Sequence, residues 1–264
     1  MGRSRLLPLG LILASLAACG GEDDVLAAMD LDAIYAGGGG SGRYKMTGGA
    51  PGKIVGRVRF EGTPSPRKLL DLTTQDGFCV KGHAPQGLFS ENLLVGENGA
   101  LANVVVYVKE GVAGGKWPVP TEPVVLDQVK CQYIPHVAIL RAGQPLVVKS
   151  SDNTTHNVHM AKNAPNDEVN ASMVRPGSLS PMTFRKPEMA RRVWCDVHSW
   201  MESWVAIVPH PFHALTGADG AFTIENVPPG VFQLSAWQED LGERPMDVTV
   251  PPGGTVEVEF VFQQ

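Results

Sequence analysis

Cys195, His198 and Met201 stand three residues apart in the run WCDVHSWM, and about forty residues upstream THNVHM offers His156 and His159. One thiolate, two imidazoles and one thioether form the donor set of copper cycling between Cu(I) and Cu(II), a trigonal His2Cys arrangement with a long axial Met. The soft thiolate suits Cu(I), the imidazoles suit both oxidation states, and a tight loop keeps either state from relaxing the geometry. Zinc would also accept Cys-x2-His, but it needs two further N or S ligands, and Cys79 with His83 would complete such a structural Cys2His2 site. Haem attachment needs Cys-x-x-Cys-His, which the chain lacks. A fold that once held a metal and has lost it is the remaining alternative.

Such ligands need strands to hold them. Short apolar or alternating runs recur along the chain: Lys53–Phe60, Leu101–Val108, Val137–Leu140, Leu146–Lys149, Asn157–Met160, Met182–Phe184, Val193–Trp194 and Trp204–Val208. Phe222–Ile224, Val231–Ala236, Met246–Val250 and Thr255–Phe262 follow, with Pro-Gly and Asp-Gly turns between them. Strands this short at this spacing predict an all-β chain of sandwiches or barrels. On a strand His156 and His159 point to opposite faces, so one of the two reaches a common pocket. Met160, Trp194 and Trp204 read as packing residues. His83, His136, His210 and His213 read as loop histidines, the last two placed to brace a metal site or to form an extra one.

The ligand loop resembles that of the cupredoxins, and its spacing is most similar to the plastocyanin and amicyanin group. His156, Asn157 and Val158 match the His-Asn-Val segment of that family, and Ser151–Asn153 before it and Trp204–Val208 after the loop also fit. The resemblance spans roughly Val137–Val208 and implies a Greek-key sandwich with one type 1 copper. It makes His156, Cys195 and His198 the equatorial ligands, Met201 the axial one, and Asn157 a brace for the loop. Trp200 stands where the amicyanin loop carries Pro-Phe, and would either line an apolar docking surface around His198 or buttress the loop.

A second resemblance lies downstream. TGADGAFTIENVPPGVFQL, Thr216–Leu234, is similar to the carboxypeptidase regulatory-like domain, a transthyretin-like sandwich, through Asp219, Gly220, Phe222, Ile224, Pro228, Pro229 and Gly230. The opening strands of that family resemble Gly52–Gly62 and Leu101–Val108, far upstream. The implied organisation is a cupredoxin sandwich, 118–209, inserted into a transthyretin/Ig-like sandwich made of 52–117 and 210–264. Insertion at a loop with adjacent ends is a tolerated route.

At the N-terminus Arg3 and Arg5 precede an apolar run, Leu6–Leu16, too short to span a bilayer, and the LAAC ending at Cys19 resembles the lipobox of bacterial lipoproteins. That implies a signal peptide over 1–18, lipid on Cys19, and anchoring in the bacterial cell envelope, with Gly20 favouring the outer membrane facing the periplasm. An ordinary signal peptide is the alternative. Residues 19–51 read as a flexible Gly-rich tether, with a short helix over Val25–Tyr35. GGGGSGRYK fails as a phosphate loop, since no Lys-Ser or Lys-Thr closes it. With Cys19 assigned to lipid, three cysteines remain; Cys79 and Cys131 flank the domain junction and pair naturally as a disulfide, leaving Cys195 unpaired. The alternative leaves Cys79 free.

Losing Arg3 and Arg5 with the first 18 residues takes the net charge from −5 to −7, which argues against nucleic acid as a partner. No Gly-x-Ser-x-Gly elbow, HExxH or Gly-x-Gly-x-x-Gly is present, so the expectation is a non-enzyme. The leading expectation is a lipid-anchored one-electron carrier whose partner is a redox protein on the same membrane face, a cytochrome or a membrane oxidoreductase. Copper storage or delivery, and a non-redox ligand-binding or adhesion module, are the alternatives.

Overall fold

The computed structural model describes residues 45–72, 77–112, 117–162 and 165–264. The signal segment, Cys19 and the helix expected over Val25–Tyr35 lie outside the described residues. Among the described residues no helix is long and apolar enough to cross a membrane. The chain is all-β; among the described residues it has seventeen strands, one short α-helix, α1 (Gly77–His83), and one 3-10 turn, Glu97–Gly99.

The strands sort into four sheets. β2 (Gly52–Glu61) pairs in parallel with β17 (Thr255–Gln263) and antiparallel with β14 (Ala221–Val227). Facing them, β15 (Gly230–Gln238) pairs with β1 (Lys45–Met46), β16 (Gly242–Val250) and β3 (Val105–Glu110), which also takes β13 (His213–Leu215). Alternation builds this sandwich: Ile54, Val58 and Phe60 of β2 turn inward to meet Phe222, Phe232 and Phe260. Gly56 leaves room for its neighbours within this sheet, since a Cβ there would stand 2.2 Å from the Val258 carbonyl oxygen of β17 and 2.8 Å from the Phe222 ring of β14.

The intervening strands pair only with one another. β4 (Val124–Gln128) joins β5 (Tyr133–Ile134) and β7 (Pro145–Ser150), which carries β10 (Leu179–Thr183). Opposite lie β6 (Val137–Arg141), β12 (Glu202–Val208), β11 (Glu188–Trp194), β8 (His156–Met160) and β9 (Val169–Met173), in that order. Between these two sheets Leu126, Leu146, Val148, Val158, Met160, Val193 and Val205 form a second core that also contains Cys195 and Met201.

β12 is buried on both faces, as its unbroken run Val205–Val208 requires. Val205 and Ile207 enter the second core, while Ala206 joins Val105, Tyr107 and Val137 in a third cluster between the two sandwiches. Trp204 and Trp237 meet edge-on there, with ring centroids 5.4 Å apart.

A buried ion pair closes the same joint. His136 binds Glu239, whose other oxygen accepts from the Trp204 indole N–H at 2.5 Å. Burial opposes charge on His136, but the bond to Glu239 and the charges of Glu239, Glu91 and Glu202 outweigh it and raise the pKa above 6.5. The folded chain therefore holds this proton more tightly than the unfolded chain. The stabilisation is complete below pH 6.5 and is lost as pH rises through the raised value. We expect His136→Gln to cost about 1–3 kcal/mol at pH 6 and less at pH 9; equal costs in urea unfolding at the two pH values would refute the linkage.

His210 and His213 titrate the other way. Burial, then the charge of Arg141, pushes each down to about 4. For His210 the unfolded chain takes up a proton between pH 6.5 and 4 that the folded chain refuses, so stability falls as the pH falls through that window. The loss amounts to about 3 kcal/mol for a shift of this size, and a His210→Asn chain should lose correspondingly less on the same titration. Among the described residues neither histidine belongs to a group of three His, Cys, Asp or Glu donors.

The strand readings differ from the structure in places with identifiable causes. The run expected from Leu101 enters its sheet only at Val105, because Asn103 takes a positive φ of 59° and turns the chain. β9 is polar on alternate residues and forms because β8 offers it an edge, which no local signal in VNASM announces.

Candidate metal centre

β8 and β11 lie side by side, paired at His159 and Trp194, and this places His156 next to the chain leaving β11 at Cys195. The loop from Cys195 to Met201 is closed twice. The Cys195 N–H donates to the Met201 carbonyl at 3.1 Å, and the Met201 N–H to the His198 carbonyl at 2.9 Å. β12 follows at once. The donor atoms of His156, Cys195 and His198 lie within 4.8 Å of one another, and all three residues are buried, at 0%, 1% and 1% exposure. Met201 is equally buried, in the same core cluster as Cys195.

The two imidazoles turn the same ring atom inward. His156 Nδ1 and His198 Nδ1 are 2.9 Å apart, and Cys195 Sγ is 3.9 Å from His198 Nδ1. His156 Nε2 faces away and donates to Asp152 Oδ2 at 2.9 Å, which fixes the tautomer and leaves Nδ1 as the donor atom. The carboxylate is itself held by the Lys130 and Cys131 N–H groups at 2.6 and 2.7 Å. Burial raises the pKa of Asp152, but the bonds from His156, Cys131 and Lys130 outweigh it and the net shift is downward. Burial likewise lowers His156, and the bonds and charges of Asp152 and Cys195 reverse this to a net rise.

Cys195 follows the same logic. Burial alone would push its thiol up, but His156, His198 and the N–H of Asn157 at 3.5 Å bring it down to about 6. The pocket therefore favours the thiolate, the form in which a cysteine binds a metal. Asn157 also ties the loop down, since its Nδ2 donates to Asp196 Oδ2 at 2.8 Å and its Oδ1 accepts from the Asp196 N–H at 2.6 Å. His159 stands on the other face of β8, stacked on Trp194 at 4.1 Å and paired with Asp196 and Glu168.

The outer edge of His198 is covered. Its Nε2 lies 3.7 Å from Cys79 Sγ, and Cys79 is bonded to Cys131. Trp200 donates from Nε1 to the Cys131 carbonyl at 3.0 Å, with its ring 5.0 Å from that of His198. Trp200 is thus tied to the disulfide beside the loop, and His198 is itself buried, at 1% exposure. The Cys2His2 zinc alternative fails as well, because Cys79 is in the disulfide and His83 Nε2 donates to the Lys130 carbonyl at 2.5 Å.

Sequence reasoning passed over Asp152. It lies four residues before His156, and a carboxylate near a candidate ligand histidine is the usual partner for the second ring nitrogen, so that signal was available. The position of α1 over His198 carries no such signal.

A donor set of two Nδ1 atoms, one thiolate and a buried thioether residue fits copper by its softness and its count. Three quarters of a zinc shell would also be present, but no fourth His, Cys, Asp or Glu joins His156, Cys195 and His198 in their group among the described residues.

No family model and no curated protein matches the chain. Among solved structures it is similar to the Cu-containing nitrite reductase (NirK) from Thermus scotoductus SA-01, at 18% identity and a TM-score of 0.31, covering 37% of this chain and 25% of that one. It is also similar to a mutant of amicyanin in the reduced Cu(I) form at pH 4, at 19% identity and a TM-score of 0.31, covering 34% of this chain and 86% of that one. A second reduced amicyanin mutant matches at 17% identity over the same shares, again with a TM-score of 0.31. The chain spans a quarter of the reductase it resembles.

Proposed function

We propose that this chain binds one copper ion through His156 Nδ1, Cys195 Sγ and His198 Nδ1, with Met201 as the weak axial donor, and serves as a one-electron carrier. The observation that carries this reading is the buried convergence of two Nδ1 atoms on a thiol already brought to about 6. When bound, copper supplies the one-electron couple. The chain supplies the rest. Asp152 holds the His156 tautomer, the Asn157 N–H supports the sulfur's charge, and the doubly closed loop keeps the donors in place through a change of oxidation state. Burial excludes water, so neither state gains a solvent ligand.

Within this reading the protein is exported, anchored by lipid at Cys19 on the periplasmic side of the outer membrane, and exchanges electrons with a redox protein on the same face. It performs no catalysis of its own. The test is voltammetry of the copper-loaded protein with a Cu(I) chelator in solution. A reversible one-electron wave that survives repeated cycles with copper retained supports a carrier. Loss of copper to the chelator on the first reduction would replace it with storage or delivery.

A further inference from the structure

His156 and His198 each face two sets of donors. Their Nδ1 atoms turn toward Cys195, while their Nε2 atoms turn the other way, His156 to Asp152 at 2.9 Å and His198 to Cys79 Sγ at 3.7 Å. Behind the first set, Cys131, Asp152 and His156 make a second buried group whose donor atoms lie within 4.8 Å of one another. Cys131 is bonded to Cys79, so a second sulfur adjoins that group. A sulfur in a disulfide is not a thiolate, and thiolate is the form that binds metal. The second set is therefore silent while the bond is intact.

We propose that reduction of the Cys79–Cys131 disulfide opens a second metal site, made of the two thiolates, Asp152 Oδ2 and His156 Nε2, that takes a tetrahedral zinc-type cation. Two sulfurs, one nitrogen and one carboxylate oxygen make a four-coordinate shell of the kind zinc accepts. Two thiolates on one tetrahedral zinc stand roughly 3.7 Å apart, given metal–sulfur bonds of about 2.3 Å. Cys79 rides on α1, a seven-residue helix with Val80 41% exposed, which can shift by that much without disturbing a sheet.

The chemistry balances with a dithiol as reductant. One of its sulfurs attacks the protein disulfide, the mixed disulfide is resolved by the other, and the dithiol leaves as its own disulfide. Two electrons and two protons pass to Cys79 and Cys131, and the arriving cation displaces those protons. Because both faces of the disulfide are buried, the reductant gains access when α1 opens. Coordination at Nε2 moves the ring proton of His156 to Nδ1, which removes that atom from the first set. The two sites are thus alternatives that share one imidazole, and the disulfide decides which is open. This goes beyond the copper reading and does not need it to be correct.

The test uses the full chain carrying Cys195→Ser, which lacks the thiolate of the first set, with cobalt(II) as the coloured probe for the zinc-type site. After reduction by a phosphine that is then removed, cobalt(II) should bind one equivalent with a thiolate-to-metal absorption that zinc(II) bleaches, and the unreduced chain should show none. Asp152→Asn in the same background should weaken binding at least tenfold. The proposal is overturned by absence of the band after reduction, by its presence before reduction, by its survival in Cys131→Ser, or by unfolding on reduction seen in circular dichroism. The unsubstituted, unreduced chain with zinc(II), weighed by native mass spectrometry, should carry one ion fewer than the reduced one. The copper reading is tested on the disulfide form alone, so either can fail without the other.

Discussion

Cys195→Ser loaded with Cu(II) should lack the intense thiolate-to-copper band in the visible spectrum, and its EPR signal should become that of ordinary tetragonal Cu(II). The thiolate is favoured because two imidazoles and one backbone N–H bring the Cys195 pKa to about 6 against the effect of burial. A serine hydroxyl stays protonated in the same place and offers a hard oxygen in place of a soft sulfur. The change leaves the fold standing. The Asn157 N–H can donate to the new oxygen, and one buried hydroxyl with a partner costs about 1 kcal/mol. Copper affinity should fall more than the 10–100-fold typical of a lost outer partner, since a ligand itself is lost. An undiminished band in the serine chain would place the copper elsewhere.

Asp152→Ala should damage both the metal site and the stability of the sandwich. The carboxylate is 3% exposed and receives three donors: His156 Nε2–H and the N–H groups of Lys130 and Cys131. Both of these residues take positive φ, 51° and 60°, a conformation that ordinary side chains adopt only when something holds it. Each buried donor left unpaired costs about 1–3 kcal/mol, and partial hydration brings the total to about 3–5 kcal/mol. His156 would be free to change tautomer, and copper affinity should drop 10–100-fold. The pH signs differ for the two partners. Asp152 has its pKa lowered, so its contribution is present above about 3.9 and is lost as pH falls through its folded value. His156 has its pKa raised, so its contribution is complete below about 6.5 and is lost as pH rises through its folded value. Urea midpoints at pH 6 and pH 3 for both chains test this, and a variant that loses as much at pH 3 as at pH 6 would contradict it.

Much of the fold could be read from side-chain alternation, because β2, β14 and β17 each bury one face and leave the other more open to water. The strands that escaped notice are β1, β4, β5, β9 and β13. Two of them depend visibly on a partner: β9 is polar, and β13 is three residues long and takes its place from Val105–Tyr107 of β3. The cysteine pair expected from its place at the domain junction is the pair that is bonded, and Cys195 is left free. Cys195 and His198 could be located from residue type and spacing, His156 was preferred to His159 by the family resemblance, and the structure brings these three together. What could not be read was their surroundings. That His198 lies beneath a disulfide follows from α1 folding back over the loop, a contact between residues 119 positions apart that leaves no trace in either segment.

β12 belongs to two interiors at once. One of its edges is held by β11 and the other by β6, and its faces serve the pocket on one side and the joint between the sandwiches on the other. A shift of one strand by a single residue exchanges its faces. Geometry at the ligand loop and geometry at the joint are consequently a single degree of freedom, so neither can drift during evolution without the other being retuned.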